Sequence, residues 1–271
     1  MPAAGRRAFR TPSPVRITWP LDPSVYAGLV VLLLGYAWLA RGRLDNTARL
    51  LYFLAGVMAL WLALETPVDT TGDRYLQSVH MFQHVLLSFV APPLLVLGLS
   101  PAMAGLLVRR IPLLGGLCQP IPAQVIAAAV MIFWHLPGPY DLTEMDERVH
   151  ILEHLTMMVA GVILWWPLLE ASGSTLRTPL HEGARLAYAL VATLPQDGIA
   201  LVLQFSGHVF YSAYANGPII IAGWTPVIDQ NVAGVVLQLA GKVSFVILGI
   251  VLLYRWIERE QPAQPEELHP A

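Results

Sequence analysis

Long apolar runs, each close to the length of a bilayer crossing, follow one another along this chain and are joined by short polar or proline-rich segments. A membrane-spanning helix needs about 20 predominantly apolar residues. Seven stretches meet or approach that length: 24–40, 48–65, 75–98, 122–136, 150–169, 184–206 and 231–256. The pattern predicts an all-α, polytopic membrane protein, a seven-transmembrane-helix bundle. The bundle occupies 21–258, between a flexible N-terminal tail, 1–20, and a C-terminal tail, 259–271. The first run is long enough to read as a span rather than a cleaved signal. Pro101 to Leu117 is apolar but broken by Arg109–Arg110 and Gly115–Gly116, which suggests an interfacial loop or half-helix. Pro92–Pro93 and Pro195 fall inside runs and are expected to bend those helices and free backbone carbonyls.

Composition agrees with the pattern. Hydrophobic residues make up 56% of the chain and charged residues 13%, against about 25% charged in soluble domains. The net charge of −2 gives no reason to expect a nucleic-acid partner. With one cysteine, Cys118, neither an internal disulfide nor a thiolate cluster can form, and Cys118 reads as an inert thiol. Any bound metal must therefore rely on His, Met or carboxylate ligands.

Short-loop arginines set the expected orientation. Arg41, Arg43, Arg49, Arg109, Arg110, Arg177 and Arg185 fall on one side of the map, and Arg74 and Arg148 on the other. This places the C-terminus in the cytoplasm and the N-terminus outside, although Arg6, Arg7, Arg10 and Arg16 in the N-terminal tail run against the bias. On this map the histidines gather at the outer face. His80 and His84 open the third span, His135 closes the fourth, His150 and His154 open the fifth, and His208 follows the sixth. His181 and His269 fall elsewhere.

Two pairs spaced i, i+4 put imidazoles on one helix face, where they can converge on one ion. Imidazole suits copper, zinc, iron and nickel. His80, His84, His135, His150 and His154 are thus candidate metal ligands, the alternative being interfacial anchors. Met81, Met131 and Met157 supply nearby thioethers, although methionine at such positions also serves for packing. Glu153, Asp229, Gln230 and His208 complete a second tier. Deep in the sixth and seventh spans lie Asp197 and Lys242, the chain's only lysine. Charges at that depth pair and face the bundle interior, so the two are expected to meet, either as a structural pair or as part of a polar conduit.

The string His80-Met81-Phe82-Gln83-His84, running into Ala91-Pro92-Pro93-Leu94-Leu95 and Gly98, resembles the signature of the CtaG-type cytochrome c oxidase assembly factors of the multi-spanning kind. In order there follow Trp134-His135-Leu136-Pro137, Tyr140-Asp141, His150 with Glu153-His154, Trp165-Trp166-Pro167-Leu168, Tyr211 with Tyr214, and Asp229-Gln230. The resemblance covers roughly residues 50–257. It implies a non-enzymatic assembly factor of the bacterial inner membrane that handles copper on the outer side in a partly open pocket. The implied partners are cytochrome c oxidase subunits and a periplasmic copper chaperone. Two other classes fit the histidines: a seven-helix zinc hydrolase with Glu153 or Asp141 as base, and a haem-binding electron-transfer protein. No His-Glu-x-x-His motif is present to favour the hydrolase.

Overall fold

The computed structural model describes residues 16–169, 175–177, 179–218 and 220–260, the last segment without eight of its side chains, those of 240, 241, 244, 255, 256 and 258–260. The tail arginines Arg6, Arg7 and Arg10, and His269, lie outside the described residues. Among the described residues every regular element is helical: α1 (Pro23–Ala40), α2 (Thr47–Leu64), α3 (Pro67–Arg74), α4 (Gln77–Val85), a π-helical turn (Leu86–Val90), α5 (Ala91–Leu97), α6 (Pro101–Arg110), α7 (Pro112–Leu117), α8 (Pro120–Trp134), α9 (Pro137–Thr143), α10 (Glu147–Leu169), α11 (Glu182–Phe205), α12 (Ser212–Ala215) and α13 (Pro226–Glu260).

Proline punctuates this order. Helices α1, α3, α6, α7, α8, α9 and α13 all begin on one, where the missing N–H would have had no intrahelical partner and the fixed φ suits the first turn. Side-chain caps reinforce several starts: Asp22 accepts from the Ser24 N–H at 2.7 Å, Asn46 from Ala48 at 2.8 Å and Ser100 from Met103 at 3.2 Å. The stretch around Pro101–Leu117 forms two short helices, α6 and α7, rather than a loop.

Among the described residues, five helical stretches are long and apolar enough to cross a membrane: α1, α2, the run α4–α5, α10 and α11. A sixth crossing results if α8 and α9, bent by 73° at the intervening residues, count as one. Helix α13 is 35 residues long, and its Phe245–Tyr254 portion is apolar.

Inside the third run, Pro92 and Pro93 cannot donate to Ser88 and Phe89. The helix widens there into the π turn, and the carbonyl of Ser88 is taken up by the indole N–H of Trp165 on α10 at 3.1 Å. Sequence-distant helices are locked by close backbone approach. A Cβ at Gly234 of α13 would lie 2.6 Å from the Ala200 carbonyl oxygen of α11, so only glycine lets these two helices pack as they do. Asn231 adds to the same contact by donating to the Leu203 and Ser206 carbonyls at the end of α11. Further along this pair Lys242 meets Asp197 at 3.1 Å.

At one end of the bundle, three connections each carry a short helix. Helix α3 joins α2 to α4, α9 joins α8 to α10, and α12 joins α11 to α13. Contacts across them build a cap: the Tyr140 and Tyr211 rings stack at 3.8 Å, and the Tyr214 hydroxyl donates to the Gly72 carbonyl at 2.8 Å. Chain segment 16–22 lies against this cap, where the Thr70 hydroxyl donates to the Thr18 carbonyl at 2.7 Å. At the opposite end Cys118 is buried among Val96, Ala104 and Trp166. Burial pushes its thiol up to about 12, which keeps it protonated and unreactive.

A buried imidazole cluster beneath the cap

The start of α4, the end of α8 and the start of α10 meet under the cap, and each brings histidines. One turn of helix separates the residues of each i, i+4 pair, so both rings of a pair lean to the same side. His80 and His84 approach with their Nε2 atoms 2.8 Å apart, and His150 and His154 with theirs 3.0 Å apart. The two pairs face each other across the helix boundary. Ring centroids of His80 and His150 are 5.6 Å apart, and those of His84 and His154 5.7 Å. His135 joins from α8, its ring 5.5 Å from His84. All five proposed histidines are therefore in one place.

Glu153 completes the inner part. Its carboxylate oxygens lie 3.5 Å from His84 Nε2 and 3.9 Å from His80 Nε2. One ligand atom from each of His80, His84, Glu153 and His154 fits within 4.8 Å of every other. These residues are enclosed: His80, His84 and Glu153 are 0% exposed and His154 8%. The partly open pocket expected from the sequence is thus a covered one, because α3, α9 and α12 close over the helix ends.

Several buried polar atoms here lack the partners that burial ordinarily demands. His84 Nδ1 and His135 Nε2 make no hydrogen bond to the described residues, and the Glu153 carboxyl has at most the Thr143 hydroxyl beside it. His135 is particularly informative. Its Nδ1 lies 2.7 Å from the Met131 carbonyl, which can only accept, so Nδ1 carries the proton and Nε2 presents its lone pair. A backbone carbonyl fixing the tautomer in this way is how metal-ligating histidines are commonly held.

Two carboxylates that sequence reasoning passed over sit at the rim. Asp73 at the end of α3 lies 3.5 Å from His150 Nε2 and 3.9 Å from His80 Nδ1. Glu144, after α9, lies 3.4 Å from His80 Nδ1 and within 3.3 Å of the Tyr214 hydroxyl. Burial, then the Asp69 and Glu144 charges, push Asp73 up to about 9. Burial, aided by Asp141, pushes Glu144 up to about 8. Carboxyls crowded in this way favour a nearby positive charge.

The second-tier candidates divide. Glu153 is in the cluster. Met81, Met131 and Met157 are buried in the apolar core alongside Trp134 and Tyr140. Met131 and Met157 also line a small cavity one turn deeper, with Ser88 and Gln196. Asp229 has a structural task instead. Helix α4 has no side-chain cap of its own, and Asp229 accepts from the Gln77 and Ser78 N–H groups at 2.7 and 3.2 Å and from the Ser78 hydroxyl at 2.6 Å. A carboxylate suits a helix N-terminus, and this one anchors the element that carries His80 and His84. Gln230 bonds the Phe210 N–H and the His208 carbonyl, pinning the connection after α11. His208 is exposed and turns to Ser206. Replacing Asp229 with Ala leaves three donors unsatisfied and is expected to cost about 1–3 kcal/mol per stranded group. Thermal unfolding in detergent, with and without the substitution, measures it.

The fold is thus a bundle of helices apolar enough to cross a membrane that gathers imidazoles and carboxylates under a cap at one end. Residues 30–259 match the family of the caa3 cytochrome c oxidase assembly factor, and the chain belongs to that family. It is also similar to uncharacterized proteins of Mycobacterium bovis and Mycobacterium tuberculosis, each 25% identical over 93% of this chain and 41% of the relative. An uncharacterized protein of Mycobacterium leprae is likewise 25% identical, over 93% of this chain and 42% of its own length. The chain thus spans about two-fifths of the length of these curated relatives. No solved structure matches.

Proposed function

We propose that this protein serves assembly of a haem-copper cytochrome c oxidase by holding copper as cargo under the cap and passing it to an oxidase subunit. The observation that carries the reading is convergence: His80, His84 and His154 with Glu153 present ligand atoms within 4.8 Å of one another, with His135 Nε2 unpartnered beside them. Imidazole donors suit copper, zinc, iron and nickel, and among these oxidase assembly selects copper. The chain contributes the ligands, fixes the His135 tautomer and excludes bulk water; the ion itself is carried, not consumed. The donor set contains no thiolate, which suits a site that must release its ion.

Orientation and span count belong to the same proposal. Arg41 and Arg43 between α1 and α2, Arg49 in the first turn of α2, and Arg109 and Arg110 in the last turn of α6 lie at the end of the bundle opposite the cap, so the positive-inside bias puts the cap and His80 in the outer compartment. Helix α13, at about 1.5 Å per residue, far exceeds the thickness of a bilayer core, and counting it with the bent α8–α9 pair gives the bundle seven crossings of the inner membrane. Oxidase subunits and a periplasmic copper donor are the partners this arrangement calls for.

The test is metal content. The full chain, purified in detergent and incubated with copper, is expected to retain roughly one copper ion per chain, in line with a single closed ligand set. Absence of copper after such loading, or preferential retention of zinc with hydrolysis of lipid amides, would overturn the proposal in favour of the hydrolase reading. A Soret band in the purified protein would point instead to haem.

A further inference from the structure

We propose that the cluster holds two successive copper stations, an outer one that captures the ion from the outer compartment and the inner one already described. The outer station consists of Asp73 and His150 with His80. The inference rests on the copper reading and adds how the ion reaches a site with no exposed ligand.

The inner donors cannot meet an ion directly, since His80, His84 and Glu153 are 0% exposed. Two members of the cluster reach the surface: the Asp73 side chain is 26% exposed and that of His150 14%. Asp73, His80 and His150 form a second group whose ligand atoms all lie within 4.8 Å. One Asp73 oxygen is 3.5 Å from His150 Nε2 and makes no hydrogen bond to the described residues.

The two groups are joined in two ways. His80 belongs to both: its Nδ1, which meets the Tyr214 hydroxyl at 3.2 Å and Glu144 at 3.4 Å, lies 3.9 Å from Asp73, and its Nε2 is 2.8 Å from His84. His150 touches His154 of the inner group, Nε2 to Nε2, at 3.0 Å. An ion held by Asp73 and His150 can therefore take His154 while it keeps His150, release Asp73, and then exchange His150 for His84 and Glu153. Each exchange adds one donor before another leaves, so the ion never crosses the cap bare.

Asp73 thus acts on the rate of passage rather than on the resting complex. The test follows copper(II) chloride loading of the full chain in detergent by stopped-flow quenching of tryptophan fluorescence. Asp73→Asn is close in shape and replaces the carboxyl donor with an amide, a poor ligand. It is expected to slow loading and release alike by about tenfold, the lower end of what loss of one group at a metal site commonly costs, while the dissociation constant changes by less than about threefold. Unchanged rates would overturn the inference. So would an affinity loss as large as the loss in loading rate, because Asp73 would then be a ligand of the resting site.

A second variant, His84→Ala, dismantles the inner station and leaves the outer one. A fast, weak copper-dependent quench is expected to survive, and its complete disappearance would also count against an outer station. Wild-type protein that takes up no copper would remove the copper reading itself. A wild type that binds one ion beside an unaltered Asp73→Asn variant would remove only the two-station scheme.

Discussion

Replacing His84 with Ala is expected to weaken equilibrium copper retention by more than about 100-fold, since loss of a supporting group alone commonly costs 10–100-fold. His84 stands where α4, α8 and α10 meet. Its Nε2 is 2.8 Å from His80 and 3.5 Å from Glu153, and its ring borders both His135 and His154. Alanine removes the donor that ties these groups to one point. The other imidazoles then have too few partners to close a shell, and Glu153 keeps its burial without the neighbour that justified it. His154→Ala should behave similarly, for it links the inner set to His150. His208→Ala and His181→Ala are the controls. His208 is exposed and held by Ser206, and His181 caps α11 at the far end of the bundle. Copper per chain and a competition titration against a chelator read the difference. If all four variants lose copper equally, the loss reflects general unfolding and the assignment of His84 fails.

How much of this was legible beforehand depends on the range of the interaction concerned. Long apolar runs announce helices because a bilayer leaves the backbone no other local solution, and α1, α2, α10 and α11 lie where hydropathy puts them. The i, i+4 pairs are equally local, so the pairing of His80 with His84 and of His150 with His154 follows from helix pitch alone. The rim was hidden. Asp73 and Glu144 occupy connections that read as ordinary polar joints, and their value arises only when α3 and the chain after α9 fold over α4 and α10. Asp229 misled for a related reason. Its distance of some 150 residues from Gln77 leaves no local trace, so the sequence offers a carboxylate near histidines as a ligand and gives no sign that it caps α4. Closure of the site depends on Tyr140, Tyr211 and Tyr214 meeting across the cap, a contact that periodicity cannot express. A clue was nonetheless present: aromatic residues in short connections at the same end as the histidines could have suggested a cover.

Glu153→Gln is expected to change stability with opposite sign in the copper-free and copper-loaded protein. In the copper-free state a carboxyl that is 0% exposed, with His84 Nε2 no nearer than 3.5 Å, burdens the fold, because burying an ionisable group without full pairing is costly. The isosteric amide carries no charge and can donate as well as accept. The apo variant should therefore unfold at the same temperature as wild type or above it. With copper the order reverses. A ligand present at 1,000 times its dissociation constant stabilises the state that binds it by about 4 kcal/mol, and a domain of this size shifts by about 2–4 °C per kcal/mol. Wild type should gain on the order of 10 °C by that arithmetic. The amide is a poor ligand and cannot balance the charge of the ion, so the variant should gain only a small part of this. Thermal unfolding of both proteins, with and without copper, distinguishes a carboxylate kept for the ion from one kept for packing. A Glu153→Gln protein that is destabilised when apo yet gains the full increment from copper would mean that Glu153 holds the helices together, and that the imidazoles bind the metal without it.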